Sequence, residues 1–371
     1  MPGIKRKKRH ESPARTPLRQ VGIKDIADAL GISIGTVDRA LHARPGVNPA
    51  TRDRVLRMAG KLGYRPNLAA RALKLNRHLR IAVQLPKEIA CFFDPLKEGI
   101  RAGASASFAT GVEMHFADYP RLGSGDTRLL EAAIGGNYDG MICTPGDASR
   151  HGPAIDALQA GGTAVVCVGS DAPRSERLAS IAVDGYISGS LAAELLIHCL
   201  PSACAVATIT GSLRVADHAE KLRGFAATLA LLAPHLSLLP VLESHENPEE
   251  AYAETIALLQ RHPTIKGLYV STANSLPVLR AIRDRRRAGS IRIITTDLFS
   301  ELIPMIEAGE VMATLYQRPF TQGRLAVQTL LRFLIEGVRP NPVTRLAPHI
   351  VLRGNLSVFS SYVSNPTSIP G

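Results

Sequence analysis

The sequence predicts an α/β protein. An N-terminal all-α helix-turn-helix headpiece with a hinge helix is followed by two doubly wound parallel α/β subdomains. Three observations predict this class. The 371 residues suffice for two or three domains. Apolar residues between positions 23 and 62 recur at helical spacing. From residue 81, short apolar runs alternate with helix-length segments.

Positive charge is concentrated at the start of the chain. The net charge is +12, and 19 of the 44 Lys and Arg residues lie before position 81, together with 5 of the 32 Asp and Glu residues. The rest of the chain is nearly neutral. A basic block joined to a neutral body is typical of a polyanion-binding module attached to a second function.

Residues 1–20 are basic, contain prolines and hold almost no apolar side chains, so we expect a disordered arm. The KRKKR run at positions 5–9 has the composition of a nuclear localisation patch. Non-specific attraction to DNA phosphates is the interpretation we favour. An expression artefact or a misassigned start codon is a further alternative.

Residues 21–65 are predicted to form three short helices, with a tight turn at Gly31 between the first two. Ser33 can cap the second helix, and Asn48 or Thr51 can begin the third. A helix, a glycine turn and a helix that opens with small residues form the helix-turn-helix layout. The apolar positions fall at helical spacing: Ile23, Ile26, Ala27, Leu30, Val37, Ala40, Leu41, Val55, Met58, Ala59 and Leu62.

Residues 66–79 are predicted to hold one more short helix, at 67–75, and a linker. Beyond them, seven apolar runs read as parallel strands buried on both faces. They span 81–85, 112–117, 140–143, 164–168, 205–210, 267–271 and 291–296. These are too many for one sheet of five or six strands, so residues 80–355 are predicted to form two subdomains with a ligand cleft between them. Residues 356–371 are predicted to be a tail.

Membrane, secretory and disulfide-rich classes are excluded by the sequence. The uncharged runs at 195–213 and 225–242 are each broken by proline, and the basic start is not a secretory signal. The cysteines are too scattered for a disulfide framework, which favours free thiols in a reducing cytoplasm. They are Cys91, Cys143, Cys167, Cys199 and Cys204.

An enzyme with an appended headpiece and a purely architectural DNA-binding protein are the rival classes. The sequence contains no GxxxxGK[ST] or HExxH motif, and no GxGxxG opens a helix after a strand. Its GxSxG match, at residues 31–35, lies in the predicted helix-turn-helix and does not follow a strand. Its eleven histidines show no paired metal-ligand spacing. We therefore expect no catalytic residues, metal or cofactor. An architectural protein would not need some 270 residues of α/β structure.

The helical segment closely resembles the headpiece of the lactose/galactose repressor family. One set of matching residues covers the helix-turn-helix: Asp25, Ile26, Ala27, Gly31, Ile32, Ser33, Thr36, Val37 and Arg39. A second set covers the third helix and the hinge: Val47, Thr51, Arg52, Val55, Leu62, Gly63, Tyr64, Pro66, Asn67, Ala70 and Leu73. Asp38 departs from the usual serine. It can accept a hydrogen bond from cytosine or pair with an arginine.

The resemblance implies which residues contact double-stranded operator DNA. Arg39 can bond bidentately to guanine or contact a phosphate. Leu73 corresponds to a leucine that wedges into the minor groove, with ordinary packing against the headpiece as the alternative. The full set is Ser33, Ile34, Gly35, Thr36, Arg39, His42, Asn67, Ala70 and Leu73.

Residues 81–355 resemble the effector domain of the same family, which shares its fold with type I periplasmic sugar-binding proteins. The resemblance implies a site at Phe92, Phe93, Asp297 and Gln317. Aromatic faces suit the C–H side of a sugar ring. A carboxylate and an amide in a dry cleft select hydroxyl groups, because they would otherwise stay unpaired.

Three family positions are altered. The family's arginine falls at Ala219, so the neighbouring His218 is predicted either to replace it as a donor or to face solvent. Where the family has an Asn-Asp pair, this chain has Thr272, Ala273 and Asn274. Of these, Asn274 is the candidate effector-binding residue. Residues 169–171 replace an Asp-Arg pair that clamps hydroxyls.

The resemblance implies a repressor that acts as a homodimer on a pseudo-palindromic operator and responds to a sugar or sugar derivative. The dimer is expected to run along residues 95–109 and 127–136. A non-sugar effector or an activator role is the alternative. Such a protein works in the bacterial cytoplasm, at the nucleoid.

Overall fold

The structure is a computed structural model that describes residues 21–41, 45–62, 64, 78–107, 111–201 and 203–364. The predicted basic arm, His42 and almost all of the predicted hinge segment, with Asn67, Ala70 and Leu73, lie outside these ranges. The chain divides into two compact units, residues 1–67 and residues 68–371.

The first unit is a three-helix headpiece, as the apolar spacing predicts. Its helices are α1 (Ile23–Leu30), α2 (Ile34–Leu41) and α3 (Pro49–Lys61). Asn48 caps α3, since its side-chain oxygen accepts the Thr51 backbone N–H at 2.7 Å. Six side chains from the three helices form the buried core: Ile26, Ala27, Val37, Ala40, Val55 and Ala59.

The second unit opens with the strands and helices of a first subdomain. They are β1 (Leu79–Pro86), α4 (Ala90–Ser107), β2 (Val112–Tyr119), α5 (Asp126–Ala132), β3 (Gly140–Cys143), α6 (Ala148–Ala160), β4 (Ala164–Val168) and β5 (Ala179–Val183). The strands pair in parallel, which requires crossover connections. Helices supply these connections from β1 to β4, whereas residues 169–178, which contain no helix, connect β4 to β5.

The chain crosses into a second subdomain at Asp184. Its elements are α7 (Gly185–Ile197), β6 (Ala205–Thr210), α8 (Ala216–Leu232), β7 (Ser237–Leu238), β8 (Leu242–Glu243), α9 (Pro248–Arg261), β9 (Gly267–Val270), α10 (Leu276–Asp284), β10 (Arg292–Thr296), α11 (Ile303–Glu307) and β11 (Ala313–Tyr316). The alternation of strand and helix therefore repeats in this half.

After Gln317 the chain crosses back to form α12 (Pro319–Glu336) and β12 (Val343–Leu346). It then crosses a third time to β13 (His349–Leu352) and α13 (Leu356–Ser364). The first sheet has the order β12-β5-β4-β3-β1-β2, and the second has the order β13-β11-β10-β9-β6-β7 with β8 also paired to β6. Strand β13 is antiparallel to β11, and the other named pairs are parallel.

Close helix packing in the second subdomain depends on a glycine. A Cβ added at Gly189 in α7 would collide with the backbone carbonyl of Lys221 in α8. The absence of a side chain at Gly189 therefore lets the two helices touch through their backbones. This contact sets the position of Lys221, whose side chain is directed into the interior.

The seven predicted strands are all present within two residues of their predicted bounds. Six further strands are not predicted: β5, β7, β8, β11, β12 and β13. Strands β7 and β8 have two residues each, and β12 and β13 lie at sheet edges, whereas β5 and β11 are interior strands. The predicted tail is wrong for residues 356–364. They form α13, where Leu356 is buried and packs with Phe359 and Val363 against the core of the second sheet.

The five cysteines are unpaired, and Cys143 and Cys167 are buried. A helix long and apolar enough to cross a membrane is not found among the described residues.

Candidate DNA-binding surface and effector cleft

The turn between α1 and α2 has the geometry of a helix-turn-helix. Gly31 has a φ of +64°, a left-handed conformation that glycine adopts without strain. The Ser33 hydroxyl accepts the Thr36 backbone N–H at 3.1 Å and lies 2.8 Å from the Thr36 hydroxyl. These bonds start α2 directly after the turn.

The outer face of α2 presents the predicted DNA-contacting residues together. Ile34, Gly35 and Arg39 are exposed, whereas Val37 is buried against the headpiece core. A Cβ added at Gly35 would lie 3.7 Å from the Arg39 guanidinium, so this side chain extends back toward the first turn of α2. The first turn and Arg39 therefore form one accessible surface.

A cavity lies between the two subdomains. The first subdomain supplies the start of α4 and loops after β1, β2, β3 and β4. The second supplies α8 and loops after β8, β9, β10 and β11. The lining residues are Ile89, Phe92, Phe93, Leu122, Thr144, Gly169, Ser170, Val215, Asp217, His218, Lys221, Glu246, Thr272, Ala273, Asp297 and Gln317.

Lys221 is the charged centre of the cavity and is 1% exposed. Its Nζ lies 2.6 Å from the Asp217 carboxylate one helical turn earlier, and it donates to the Gln317 side-chain oxygen at 2.9 Å. It also donates to the backbone carbonyl of Ser271 at 3.4 Å. A buried ammonium group is thus satisfied by one carboxylate and two neutral oxygens.

Asp297 is held in place by Gln317. The Gln317 backbone N–H and side-chain amide donate to the two carboxylate oxygens at 3.1 Å and 2.7 Å. Burial raises the pKa of Asp297 to about 6, although the hydrogen bonds from Gln317 and the charge of Lys221 act in the opposite direction. Its φ of +67° is unusual for a residue other than glycine.

Glu246 and His218 form a second polar group in the cavity wall. The Thr272 hydroxyl donates to Glu246 at 2.7 Å, and His218 Nε2 lies 3.5 Å from the other carboxylate oxygen. Burial lowers the pKa of His218, in spite of the nearby Glu246 charge, so its imidazole is neutral at pH 7.

The opposite wall is aromatic. The rings of Phe92 and Phe93 are buried and meet edge to face with their centroids 4.9 Å apart. They begin α4 directly after the loop that follows β1. An apolar ring surface therefore faces a set of charged and amide groups across the cavity.

The structure brings five of the six predicted effector residues to this cavity: Phe92, Phe93, His218, Asp297 and Gln317. His218 is buried and does not face solvent, which removes one of its two predicted alternatives. Asn274 does not line the cavity. Its backbone N–H donates to the Thr272 hydroxyl at 3.2 Å, and this turn places residues 272 and 273 on the wall instead.

The sequence analysis missed Lys221, Asp217, Glu246 and Ser170, which also line the cavity. A signal was available for Lys221. It lies three residues after His218 and four before Phe225, at the spacing of one helix face, and a lysine on an apolar face needs a buried partner. Glu246 follows a two-residue strand and has no comparable sequence signal.

Asp171, which follows the altered Gly-Ser position, does not enter the cavity. Its carboxylate pairs with Arg177 and accepts a bond from Arg345 at 3.1 Å. Hydrogen bonds and charge from these two arginines lower the pKa of Asp171 despite its burial. Its role is to join β12 to the loop after β4.

A bridging contact joins the two subdomains beside the cavity. Arg214, next to the cavity residue Val215, places its guanidinium 3.4 Å from the Asp147 carboxylate. The Ala148 backbone N–H donates to the Arg214 carbonyl at 3.3 Å. Asp147 belongs to the first subdomain and Arg214 to the second, so this contact bridges the two subdomains.

Strained backbone conformations cluster at the cavity and the crossing points. Ile89, Glu246 and Asp297 line the cavity and have positive φ values of 60°, 56° and 67°. Arg318, at the second crossing, has a φ of 58°. Such residues persist where the surrounding structure holds them and where a site uses their geometry.

A helix-turn-helix headpiece joined to a two-subdomain unit with a polar cavity defines a ligand-binding regulator of transcription. Residues 22–67 match the family of bacterial regulatory proteins called the lacI family. Residues 81–337, more than half of the chain, match the periplasmic binding protein domain. The chain belongs to the lacI family of DNA-binding transcriptional regulators, with a periplasmic binding protein domain as its second unit.

Two known transcriptional regulators match most of this chain. Catabolite control protein A of Priestia megaterium is 23% identical over 337 residues, which cover 90% of this chain and 98% of that protein. The HTH-type transcriptional regulator CelR of Thermobifida fusca is 27% identical over 275 residues, covering 73% of this chain and 78% of CelR.

Solved structures resemble the second unit. GanP, a glucose-galactose binding protein from Geobacillus stearothermophilus, matches with a TM-score of 0.69 and 25% identity. The match covers 76% of this chain and 99% of GanP. The two-subdomain architecture predicted from the sequence is therefore confirmed.

Proposed function

We propose that the chain is a homodimeric repressor whose affinity for operator DNA is set by a sugar or sugar derivative bound in the cavity. The observation that carries this proposal is a cavity lined by charged and amide groups and by two phenylalanines, in a chain that also carries a helix-turn-helix. It performs no catalysis on that ligand, and it works in the bacterial cytoplasm at the nucleoid.

The cavity chemistry supports a hydroxylated ligand. Asp297, Gln317 and Glu246 offer acceptors and donors in a site shielded from water, where an unpaired polar group costs free energy. Phe92 and Phe93 offer a surface for the C–H face of a ring. GanP, which has the same fold, is described as a glucose-galactose binding protein.

The surface of α2 supports readout of the major groove. Ser33, Ile34, Gly35, Thr36 and Arg39 are placed at its first turn and outer face, the part of a recognition helix that reaches base edges. A bidentate pair of hydrogen bonds from Arg39 to guanine would favour guanine over the other bases by about 1–3 kcal/mol. His42, Asn67, Ala70 and Leu73 complete the proposed DNA-contacting set, and Asn274 stays outside the proposed effector site.

Dimer formation is proposed because one headpiece contacts too few base pairs for useful specificity, and two-fold symmetry doubles the readout. The proposed interface runs along residues 95–109 and 127–136. Binding of ligand in the cleft then changes the relative position of the two subdomains, and with it whether the hinge segments order on DNA.

The proposal is tested by selection of binding sites from random duplex DNA, followed by a screen of sugars, polyols and their phosphates against the selected site. We expect a pseudo-palindromic site, a dimer by light scattering on DNA, and at least one sugar that changes operator affinity. A monomer on DNA would contradict the dimer. Ligand binding without any effect on operator affinity would contradict ligand control.

A further inference from the structure

The charges around the cavity do not balance. Three carboxylates line it, from Asp217, Glu246 and Asp297, and Lys221 is the cation that lines it among the described residues. Asp217 neutralises Lys221 at 2.6 Å. Two negative charges therefore remain without a cation of the protein in the cavity wall.

Neighbouring basic groups do not supply the missing charge. His218 is neutral because burial lowers its pKa. Arg177 and Arg345 are paired with Asp171, and Arg214 is paired with Asp147. Arg318, which follows Gln317, acts on the pKa of His349 and does not line the cavity.

Glu246 is the most unusual of the three carboxylates. It is 3% exposed, and its φ of 56° lies in the left-handed region. Its carboxylate accepts a hydrogen bond from the neutral Thr272 hydroxyl at 2.7 Å, and the neutral His218 lies 3.5 Å away. A Cβ added at Gly211 would collide with the Glu246 carboxylate, so glycine is what makes room for it. A buried carboxylate without a cation is costly, and here the backbone is also strained to hold it.

A second, independent feature points to a missing ligand group. Ser170 lines the cavity, is 2% exposed, and its hydroxyl has no hydrogen-bond partner. Buried hydroxyl groups are normally paired. The unpaired hydroxyl, which lies on the first subdomain, can be satisfied by a ligand that spans the cavity from Glu246.

We infer that the ligand of this cavity is a sugar that carries a protonated amine, with the ammonium group placed at Glu246 and hydroxyl groups at Asp297, Gln317 and Ser170. This inference rests on the proposed function and specifies its ligand class. An ammonium group neutralises one of the two unbalanced charges. A phosphate or a uronic acid adds a third negative charge in a site of low dielectric and is disfavoured.

The test is titration calorimetry of the full chain with matched ligands near neutral pH. The probes are D-glucose, D-galactose and D-mannose, each with its 2-amino analogue, its N-acetylated analogue and its uronic acid. In at least one series we expect the amine to bind about tenfold more tightly than the parent sugar and the N-acetyl compound, as for a close buried charge pair. The uronic acid should bind most weakly.

Glu246→Gln should abolish the preference for the amine over the parent sugar. Glu194→Gln is the matched control. Glu194 is exposed on α7, so this substitution removes the same charge outside the cavity. It should keep the preference. The comparison of ligands on the wild-type chain decides the inference even if Glu246→Gln does not fold.

Neutral sugars that bind as tightly as their amines would overturn the inference and leave the proposed function standing. Failure of every sugar in all three series to bind a chain that still binds its operator would overturn the proposed sugar effector, and the inference with it.

Discussion

Lys221 donates a hydrogen bond to the Gln317 side-chain oxygen at 2.9 Å, although 96 residues separate them. Lys221 lies in α8 of the second subdomain, and Gln317 follows β11 at the second crossing between subdomains. The bond therefore fixes the crossing to the helix that lines the cavity. Gln317 in turn donates two hydrogen bonds to the Asp297 carboxylate and so fixes its position.

Lys221→Met should destabilise the second unit by about 3–5 kcal/mol, because it leaves the buried Asp217 carboxylate without its cation. Arg223→Met is the matched control on the same helix. Arg223 pairs with Glu220 on the exposed face, where an ion pair contributes about 1 kcal/mol or less. Urea unfolding of both variants measures the difference, and equal losses would contradict the role given to Lys221.

Arg214→Ala should speed release of a bound ligand, because it removes the contact to Asp147 that joins the two subdomains beside the cavity. The pair is largely exposed on the Arg214 side, so the expected effect is up to about fivefold. Arg174→Ala is the control, since Arg174 bonds to Ser149 within one subdomain. Stopped-flow dissociation rates decide: release that is equally fast in the two variants would contradict the contact's role.

Asp297 should make stability depend on pH. Its pKa is about 6 in the folded chain and 3.8 when unfolded, so folding favours the protonated form. The contribution of Asp297 to the free energy of unfolding is fully present below pH 3.8 and is lost as pH rises through about 6. The loss is at most about 1.4 kcal/mol per pH unit. Asp297→Asn tolerates the left-handed backbone and should lack this loss.

The measurement is the free energy of unfolding of the wild-type chain and Asp297→Asn from pH 4 to pH 7. Wild-type stability should fall relative to the variant as pH rises. Two parallel curves would show that Asp297 does not titrate in this range.

Much of the fold follows from the sequence, because the apolar runs of the buried strands are continuous and separated by helix-length segments. The central strands β3, β4 and β6 match their predicted bounds at both ends. Edge strands such as β12 and β13 have mixed side chains and gain their order from neighbouring strands. Helix α13 was missed for a similar reason, since its order comes from packing of Leu356 on a distant core.

The cavity residues were predicted mainly where family positions are retained. Phe92, Phe93, Asp297 and Gln317 were predicted in this way, and the structure places all four around one cavity. Lys221 was missed because the family's cation falls two residues earlier, at Ala219, and a change in position along a helix is not visible in a motif. Glu246 reaches the cavity from a loop between β8 and α9, which local sequence does not specify.

Leu73→Ala should weaken binding to the selected operator by about tenfold or more and change binding to random DNA little, since its proposed role is apolar insertion into a bent minor groove. Arg39→Ala serves as the comparison, with an expected loss of about 1–3 kcal/mol at one base position. Anisotropy titrations on both DNA types measure the effect. Equal losses on operator and random DNA would show that Leu73 only packs against protein.

The most direct test of ligand control is measured linkage between the two sites of one chain. Operator affinity is measured with and without a saturating sugar from the screen, and sugar affinity is measured with and without operator. Our account predicts that each ligand changes the affinity for the other by the same factor, about 5- to 150-fold. A chain that binds both ligands with affinities that do not depend on each other would contradict it.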